Sequence, residues 1–206
     1  RQRSGRGLRV AVLRDTHLPR RGHDLPPRAW EIVGACAAVI HAGDVVERGL
    51  LGRLAAVAPL HAVRGNNDTA LPELPELLSL QLGGVSIAIV HDSGPAAGRR
   101  ARLRRQHPQA RVVVFGHSHI PLLDDDEDLL LLNPGSPTDR RAQPSFTMAV
   151  LEVADGLAAA TIVDLGLEPA ATRRCSTRRV VQVRPITTSM SETRLCAVRN
   201  PLWGAT

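Results

Sequence analysis

The chain has 206 residues, of which 43% are hydrophobic and 22% charged, a composition typical of a globular domain with a substantial core. All 26 basic residues are arginine, so lysine Schiff-base chemistry and the Walker A phosphate loop are excluded. The formal net charge is +6, but residues 167–206 carry +5 of it, and the nearly neutral remainder argues against a nucleic-acid-binding body.

Short β-branched runs alternate with segments of helical composition. The predicted strands are 8–13, 37–41, 60–63 and 111–115, and the predicted helices are 27–36, 47–57 and 97–107. Hairpins are expected at 78–90, around Gly83-Gly84, and at 146–164, around Asp155-Gly156. This order predicts a layered α/β domain, with a mixed sheet or two packed sheets, that ends near Leu165.

Two segments fall outside this pattern. The acidic run 124–128 is predicted to be a solvated loop tip rather than a cation site, because consecutive carboxylates point in different directions and repel one another. Residues 166–206 lack sustained periodicity and predict a basic, flexible extension with at most one short strand, at 179–184.

The cysteines and apolar runs bear on the compartment. Cys36, Cys175 and Cys196 form no CxxC motif and no disulfide framework. No apolar run reaches the length of a membrane span, and the run at 8–13 is too short for a signal peptide. We therefore expect a cytoplasmic protein that does not associate with membranes.

Residues of metal-binding type follow the predicted strands. They are Asp15 and His17, Asp44, Asn66, His91, and finally His117 and His119. Taken singly, such residues are more often turn formers, helix caps or core histidines. Five separate strand ends carry one, however, and loops from several strand ends converge on the ligand crevice of an open α/β sheet. The pattern therefore favours one shared metal site.

These residues form a series of motifs, namely D-x-H at 15–17, G-D at 43–44, G-N-x-D at 65–68, V-H at 90–91 and G-H-x-H at 116–119. In this order they resemble the calcineurin-like metallophosphoesterase superfamily. Within it, they are similar to the small YfcE-type phosphodiesterases and their eukaryotic scaffold relative Vps29, and the Asn-Pro-Gly-Ser motif of this subfamily is present at 133–136. The resemblance covers about residues 8–165 and implies a single-domain α/β fold, a four-layer α/β/β/α sandwich.

The resemblance also implies two metal positions that share one carboxylate. Position A comprises Asp15, His17, Asp44 and His119, and position B comprises Asp44, Asn66, His91 and His117. Such ligands suit borderline divalent ions, and we expect Mn²⁺, with Zn²⁺, Fe²⁺ and Ni²⁺ as alternatives. A hydroxide bridging two such ions can attack a phosphoryl group. The residues expected to matter most for catalysis are Asp44, His17 and Asn66.

Three departures from the family pattern are visible. Asn67 stands where many members carry a histidine that protonates the leaving group, which predicts a preference for leaving groups that need little protonation. Asp92 follows the V-H motif where relatives often have glycine, and it either orients a ligand or forms a turn. Arg14 occupies a place that is usually small and polar.

Four further residues are candidates for supporting roles. His41 and Asp68 are expected to stabilise the loops around the metal ligands rather than to bind metal. Arg140 and Arg141 are candidates for binding substrate phosphate, because guanidinium groups fit phosphate oxygens. A solvated loop pair is the alternative for the two arginines.

The sequence thus predicts a metal-dependent phosphoesterase that hydrolyses a small phosphodiester. The alternative is a Vps29-like scaffold that binds proteins without catalysis. A scaffold tends to lose metal ligands, whereas all seven are present here. A nuclease of the same superfamily is disfavoured by the nearly neutral body.

Overall fold

The computed structural model describes residues 7–167, so Cys175, Cys196 and all but the first two residues of the predicted extension lie outside the described part. The strands are β1 (Leu8–Leu13), β2 (Ala38–His41), β3 (Leu60–Ala62), β4 (Leu77–Leu82), β5 (Val85–Val90), β6 (Val112–Val114), β7 (Leu122–Asp125), β8 (Leu130–Asn133), β9 (Phe146–Ala154) and β10 (Leu157–Gly166). The helices are α1 (Pro27–Gly34), α2 (Arg48–Val57) and α3 (Arg99–Gln106).

The strands form two mixed sheets of five strands each. The first has the order β10-β9-β1-β2-β3, with β1, β2 and β3 parallel and β9 antiparallel to both β1 and β10. The second has the order β4-β5-β6-β8-β7, with β5, β6 and β8 parallel. Each sheet therefore contains three adjacent parallel strands, and loops leave these strands at their carboxyl ends.

The two sheets pack face to face, and helices cover their outer faces. Along β1, Val10 and Val12 belong to the core between the sheets, whereas Ala11 and Leu13 belong to the core beneath α1 and α2. This period-two alternation is what a strand buried on both faces requires. A third cluster packs Leu103 of α3 on the second sheet. The layers are α/β/β/α, as predicted.

The predicted strands and helices all occur, with ends that shift by at most one residue for the four isolated strands and two for the hairpins and helices. Strands β7 and β8 were not predicted. The prediction of a loop tip at 124–128 is wrong for Asp124 and Asp125, which lie in β7. Asp125 is paired with Arg111 at 3.2 Å rather than solvated. Within residues 7–167, none of the helices has the length and apolar character needed to cross a bilayer.

Candidate metal centre

The seven predicted ligands converge at one end of the sandwich. They lie on the loops that follow β1, β2, β3, β5 and β6, with His91 directly after the last residue of β5. Backbone hydrogen bonds tie these loops together, from the Asp15 N–H to the Gly43 carbonyl at 2.9 Å and from the Gly116 N–H to the His91 carbonyl at 2.7 Å. The loops therefore form one connected framework around the cluster.

The backbone of these loops is strained at the ligands themselves. Five of the seven have a positive φ, and these are Asp15 (45°), His17 (47°), Asp44 (57°), His117 (74°) and His119 (58°). Residues other than glycine adopt this left-handed conformation only when the surrounding structure imposes it, and they concentrate at functional sites. The folded backbone is thus strained at the positions that orient these side chains.

Position A brings together buried side chains from three loops. His119 Nε2 lies 3.7 Å from Asp15 Oδ2, and His17 Nε2 lies 3.6 Å from Asp44 Oδ2. The His17 and His119 rings are stacked, with their Nε2 atoms 3.4 Å apart. Ligand atoms of Asp15, His17 and His119 all lie within 4.8 Å of one another, which is close enough to bind a single ion.

Position B shares Asp44 and is more open. His91 Nε2 lies 3.5 Å from Asp44 Oδ2 and 3.0 Å from Asn66 Oδ1, and His117 Nδ1 lies 3.1 Å from the same Asn66 oxygen. Asn66 and His117 are exposed to solvent. Asp44 Oδ2 is therefore close to an imidazole of each position, as a bridging carboxylate must be.

Unpaired acceptors show that this cluster suits cations. The Nδ1–H of His91 donates to the Ala42 carbonyl at 2.9 Å, so Nε2 carries the lone pair that faces Asn66 Oδ1. Both carboxylate oxygens of Asp15 are buried; Oδ1 has no hydrogen-bond partner within residues 7–167, and Oδ2 is in ion-pair contact with Arg14. Buried acceptors that face one another need a cation to offset their desolvation, and these carboxylate, amide and imidazole donors fit a divalent ion.

The imidazoles are poised as neutral ligands. Burial lowers the pKa of His17 and of His91, and it lowers the pKa of His119 to about 4. At neutral pH the rings are therefore uncharged and keep a free lone pair. His119 donates its Nδ1–H to the Asp139 carbonyl at 2.5 Å, which leaves Nε2 directed at Asp15.

Asp68 holds together two of the loops that carry candidate metal ligands. Its carboxylate is buried and accepts hydrogen bonds from the backbone N–H groups of Asp44 (2.8 Å), Gly65 (2.8 Å) and Val46 (2.6 Å). The supporting role predicted for Asp68 is thus confirmed. His41 is also buried, with its Nε2 3.2 Å from Thr16 Oγ1, and does not take part in either position.

Sequence reasoning missed the role of Asn67. Its side-chain amide donates to Asp44 Oδ2 at 2.6 Å, and its backbone N–H donates to Asp44 Oδ1 at 2.8 Å. Burial tends to raise the pKa of Asp44, but these two hydrogen bonds and the His91 and His17 imidazoles hold it below its usual value. Asn67 therefore orients the shared carboxylate.

The Asn-Pro-Gly-Ser loop braces position A. Ser136 Oγ donates to the Asp15 carbonyl at 2.8 Å and accepts from the Asp139 N–H at 2.8 Å. Asp139 in turn receives the Nδ1–H of His119 on its backbone carbonyl. The motif itself was the signal for this role, although the sequence did not reveal its partners.

The two arginines after this loop differ. Arg140 donates to the Gln143 carbonyl at 2.6 Å, which fixes the loop. Arg141 is exposed, and its charge contributes to the lowered pKa values of His17 and His119, so it lies near position A. Asp92 accepts the Gly94 N–H at 2.7 Å, which is the turn interpretation of that residue.

Arg14 is fully buried within the centre. Its Nη1 is in ion-pair contact with Asp15 Oδ2. Desolvation and the charge of Arg141 lower the pKa of Arg14 to about 9, so the guanidinium remains protonated at neutral pH. A cleft of about 490 Å³ lies on the side of position B and is lined by Asn66, His91, Arg64 and Glu76.

Comparisons with known proteins agree with this geometry. The model of the calcineurin-like phosphoesterase superfamily domain matches residues 8–156. A protein of Methanocaldococcus jannaschii named a probable metallophosphoesterase is 35% identical over 161 residues, which cover 77% of this chain and 82% of the relative. The chain therefore belongs to the calcineurin-like phosphoesterase superfamily, and its relatives support a metal-dependent phosphoesterase.

Solved structures share the fold. Vacuolar protein sorting 29 of Cryptosporidium parvum superposes with a TM-score of 0.68 at 20% identity, over 78% of this chain and 92% of that chain. Wild-type Vps29 of Entamoeba histolytica, complexed with Zn²⁺, superposes with a TM-score of 0.67 at 22% identity, over 77% and 93% of the two chains. At these identities the likeness concerns the fold alone.

Proposed function

We propose that the chain hydrolyses a phosphodiester with the help of two divalent ions, Mn²⁺ in preference to Zn²⁺, bound at positions A and B. The observation that carries the proposal is the Asp44 carboxylate. Its Oδ2 lies within 3.6 Å of His17 on one side and 3.5 Å of His91 on the other. Two bound divalent ions would supply a deprotonated bridging water as nucleophile and would neutralise charge on the phosphoryl oxygens.

The residues of the chain perform the remaining tasks. Asn67 and Asp68 fix Asp44, so the shared ligand is oriented before substrate arrives. The exposed Asn66 and His117 place position B at the solvent side, where a phosphoester can approach. Arg141 is the arginine suited to hold a phosphate oxygen, because Arg140 is engaged by the loop.

The leaving group departs without a protein acid at residue 67. An asparagine cannot donate a proton to an alkoxide, and its amide is already hydrogen-bonded to Asp44. A diester with an acidic phenol as leaving group should therefore react much faster than an alkyl diester. Equal rates for the two, with chemistry rate-limiting, would show that another acid serves this site.

The test is a panel of aryl and alkyl phosphodiesters, phosphomonoesters and cyclic nucleotides, assayed with Mn²⁺ and then with Zn²⁺. Asp44→Asn should lose more activity than Asn66→Ala, because Asp44 contacts both positions and Asn66 only one. The exposed Asp128→Asn is the matched control and should retain wild-type rates. Negligible turnover of every substrate by the wild-type protein would overturn the proposal and favour the Vps29-like scaffold.

A further inference from the structure

Arg14 is an unusual component of the centre because it is a full charge without hydrogen bonds. It is completely buried, and within residues 7–167 none of its three guanidinium nitrogens makes a hydrogen bond. A buried cation normally has its partners fully arranged around it. Here the compensating group is the Asp15 carboxylate, whose Oδ2 contacts Arg14 Nη1.

The fold makes room for this guanidinium between two metal-binding loops. A Cβ atom on Gly116 would lie 2.8 Å from Arg14 Nη1 and 3.1 Å from the Ala42 carbonyl, so only glycine fits there without displacement. Gly116 lies on the loop that carries His117 and His119. Arg14 is therefore held against position A by the packing of the site itself.

The charge of Arg14 reaches both positions, since it contributes to the lowered pKa of His91 as well as that of His119, but its ion-pair contact is with a carboxylate of position A. In the proposed centre Asp15 is a ligand of position A alone, although its carboxylate also lies within 4.8 Å of ligand atoms of Asp44 and His91, and its negative charge is already offset by Arg14. The shared Asp44 is held by the neutral amide and the backbone N–H of Asn67. A divalent ion at position A must share its carboxylate with a cation and bind beside a buried positive charge, where Coulomb repulsion is weakly screened.

From this arrangement, and resting on the two-metal centre proposed above, we infer that Arg14 makes metal binding stepwise. Position B binds the first ion tightly, and position A binds the second ion weakly. The chain would then hold one resident ion and recruit the other from solution, so its activity would follow the free concentration of the divalent ion. Arg14 is a residue that tunes the affinity of the site, not a metal ligand.

In the experiment, chelator-stripped protein is titrated with Mn²⁺ alone, and binding is monitored by calorimetry and by electron paramagnetic resonance. Wild type should bind two ions in two steps, separated by about tenfold or more in affinity. An isolated Mn²⁺ signal should precede the signal of a coupled pair. His119→Ala should remove the weak step and keep the strong one, because His119 belongs to position A only.

Two substitutions of Arg14 separate charge from packing. Arg14→Met keeps a long unbranched side chain without the charge. It should raise the Mn²⁺ affinity of the weak step by about tenfold or more and leave the affinity of the strong step nearly unchanged. Arg14→Lys keeps the charge and should preserve the wild-type separation. Two equal steps in wild type, or loss of the strong step in His119→Ala, would overturn the inference even if Arg14→Met does not fold. Absence of any Mn²⁺ binding by wild type would overturn the two-metal proposal as well.

Discussion

Replacing Gly65 by alanine should damage the centre through one added methyl group. A Cβ at this residue would lie 2.2 Å from Asp44 Oδ1 and 2.3 Å from the Asp44 backbone nitrogen. Both distances are more than about 1 Å shorter than a normal van der Waals contact. Either the shared carboxylate or the loop backbone must therefore move.

The size of the effect follows from what that movement breaks. Overpacking a tight site costs about 1–3 kcal/mol, and disturbing the buried hydrogen bonds of Asp44 and Asp68 costs about 1–3 kcal/mol more. The total of roughly 2–6 kcal/mol corresponds to a melting temperature lower by roughly 5–20 °C for a domain of this size. Displacement of Asp44 should also weaken Mn²⁺ binding by about 10–100-fold, the range typical of lost support for a metal ligand.

The assay is urea unfolding of the metal-free protein together with Mn²⁺ calorimetry. Gly52→Ala is the matched control, because a Cβ at this helical glycine of α2 meets no atom within 4 Å. Alanine there should leave stability unchanged or raise it by up to about 1 kcal/mol. If Gly65→Ala matches Gly52→Ala in both stability and Mn²⁺ binding, the close approach of the two loops is not as described.

Three further predictions concern other parts of the site. Asp68→Asn should lower the free energy of unfolding by about 2–4 kcal/mol relative to the exposed Asp128→Asn, because an amide offers one acceptor oxygen to three backbone N–H groups that now share two. Equal free energies of unfolding for the two variants would refute this. Burial lowers the pKa of His41 to about 3, so the unfolded chain binds the extra proton and stability falls as pH drops below about 6.5. With chelator present, His41→Gln should reduce that loss by about 1.4 kcal/mol per pH unit near pH 5, and an unchanged slope would contradict it. Asn67→His should raise the alkyl diester rate relative to the aryl rate, because an imidazole can protonate the leaving oxygen. Asn67→Ala, which also loses the Asp44 hydrogen bond but supplies no acid, is the control, and equal alkyl-to-aryl ratios in the two variants would contradict the prediction.

The layered fold and the position of the site were predictable because they depend on local patterns. The period-two alternation of β1 and the turn residues of the hairpins are visible in the sequence. Metal-binding residues at five strand ends predicted the convergence that the structure shows. Strand β7 escaped prediction because its acidic residues are typical of a solvated turn, whereas in the fold Asp124 pairs with Arg100, Asp125 pairs with Arg111 and the strand pairs with β8.

The interactions that tune the site could not be predicted in the same way. The bond from Asn67 to Asp44 joins residues of two loops, and the sequence showed only that a usual acid was missing. The burial of Arg14 depends on Gly116, about a hundred positions later in the chain, and on the packing of the second sheet against the first. Such contacts arise from tertiary packing, which residue patterns within one segment do not reveal.

The two-metal centre is tested most directly by measuring bound Mn²⁺ and turnover on one preparation. Chelator-stripped wild-type protein is titrated with Mn²⁺ while hydrolysis of an aryl phosphodiester is recorded together with the number of ions bound per chain. We expect no turnover without metal, turnover that rises as the second ion binds, and loss of most of that turnover in Asp44→Asn. Full turnover by the metal-free protein, or by Asp44→Asn with no ion bound, would contradict the two-metal centre.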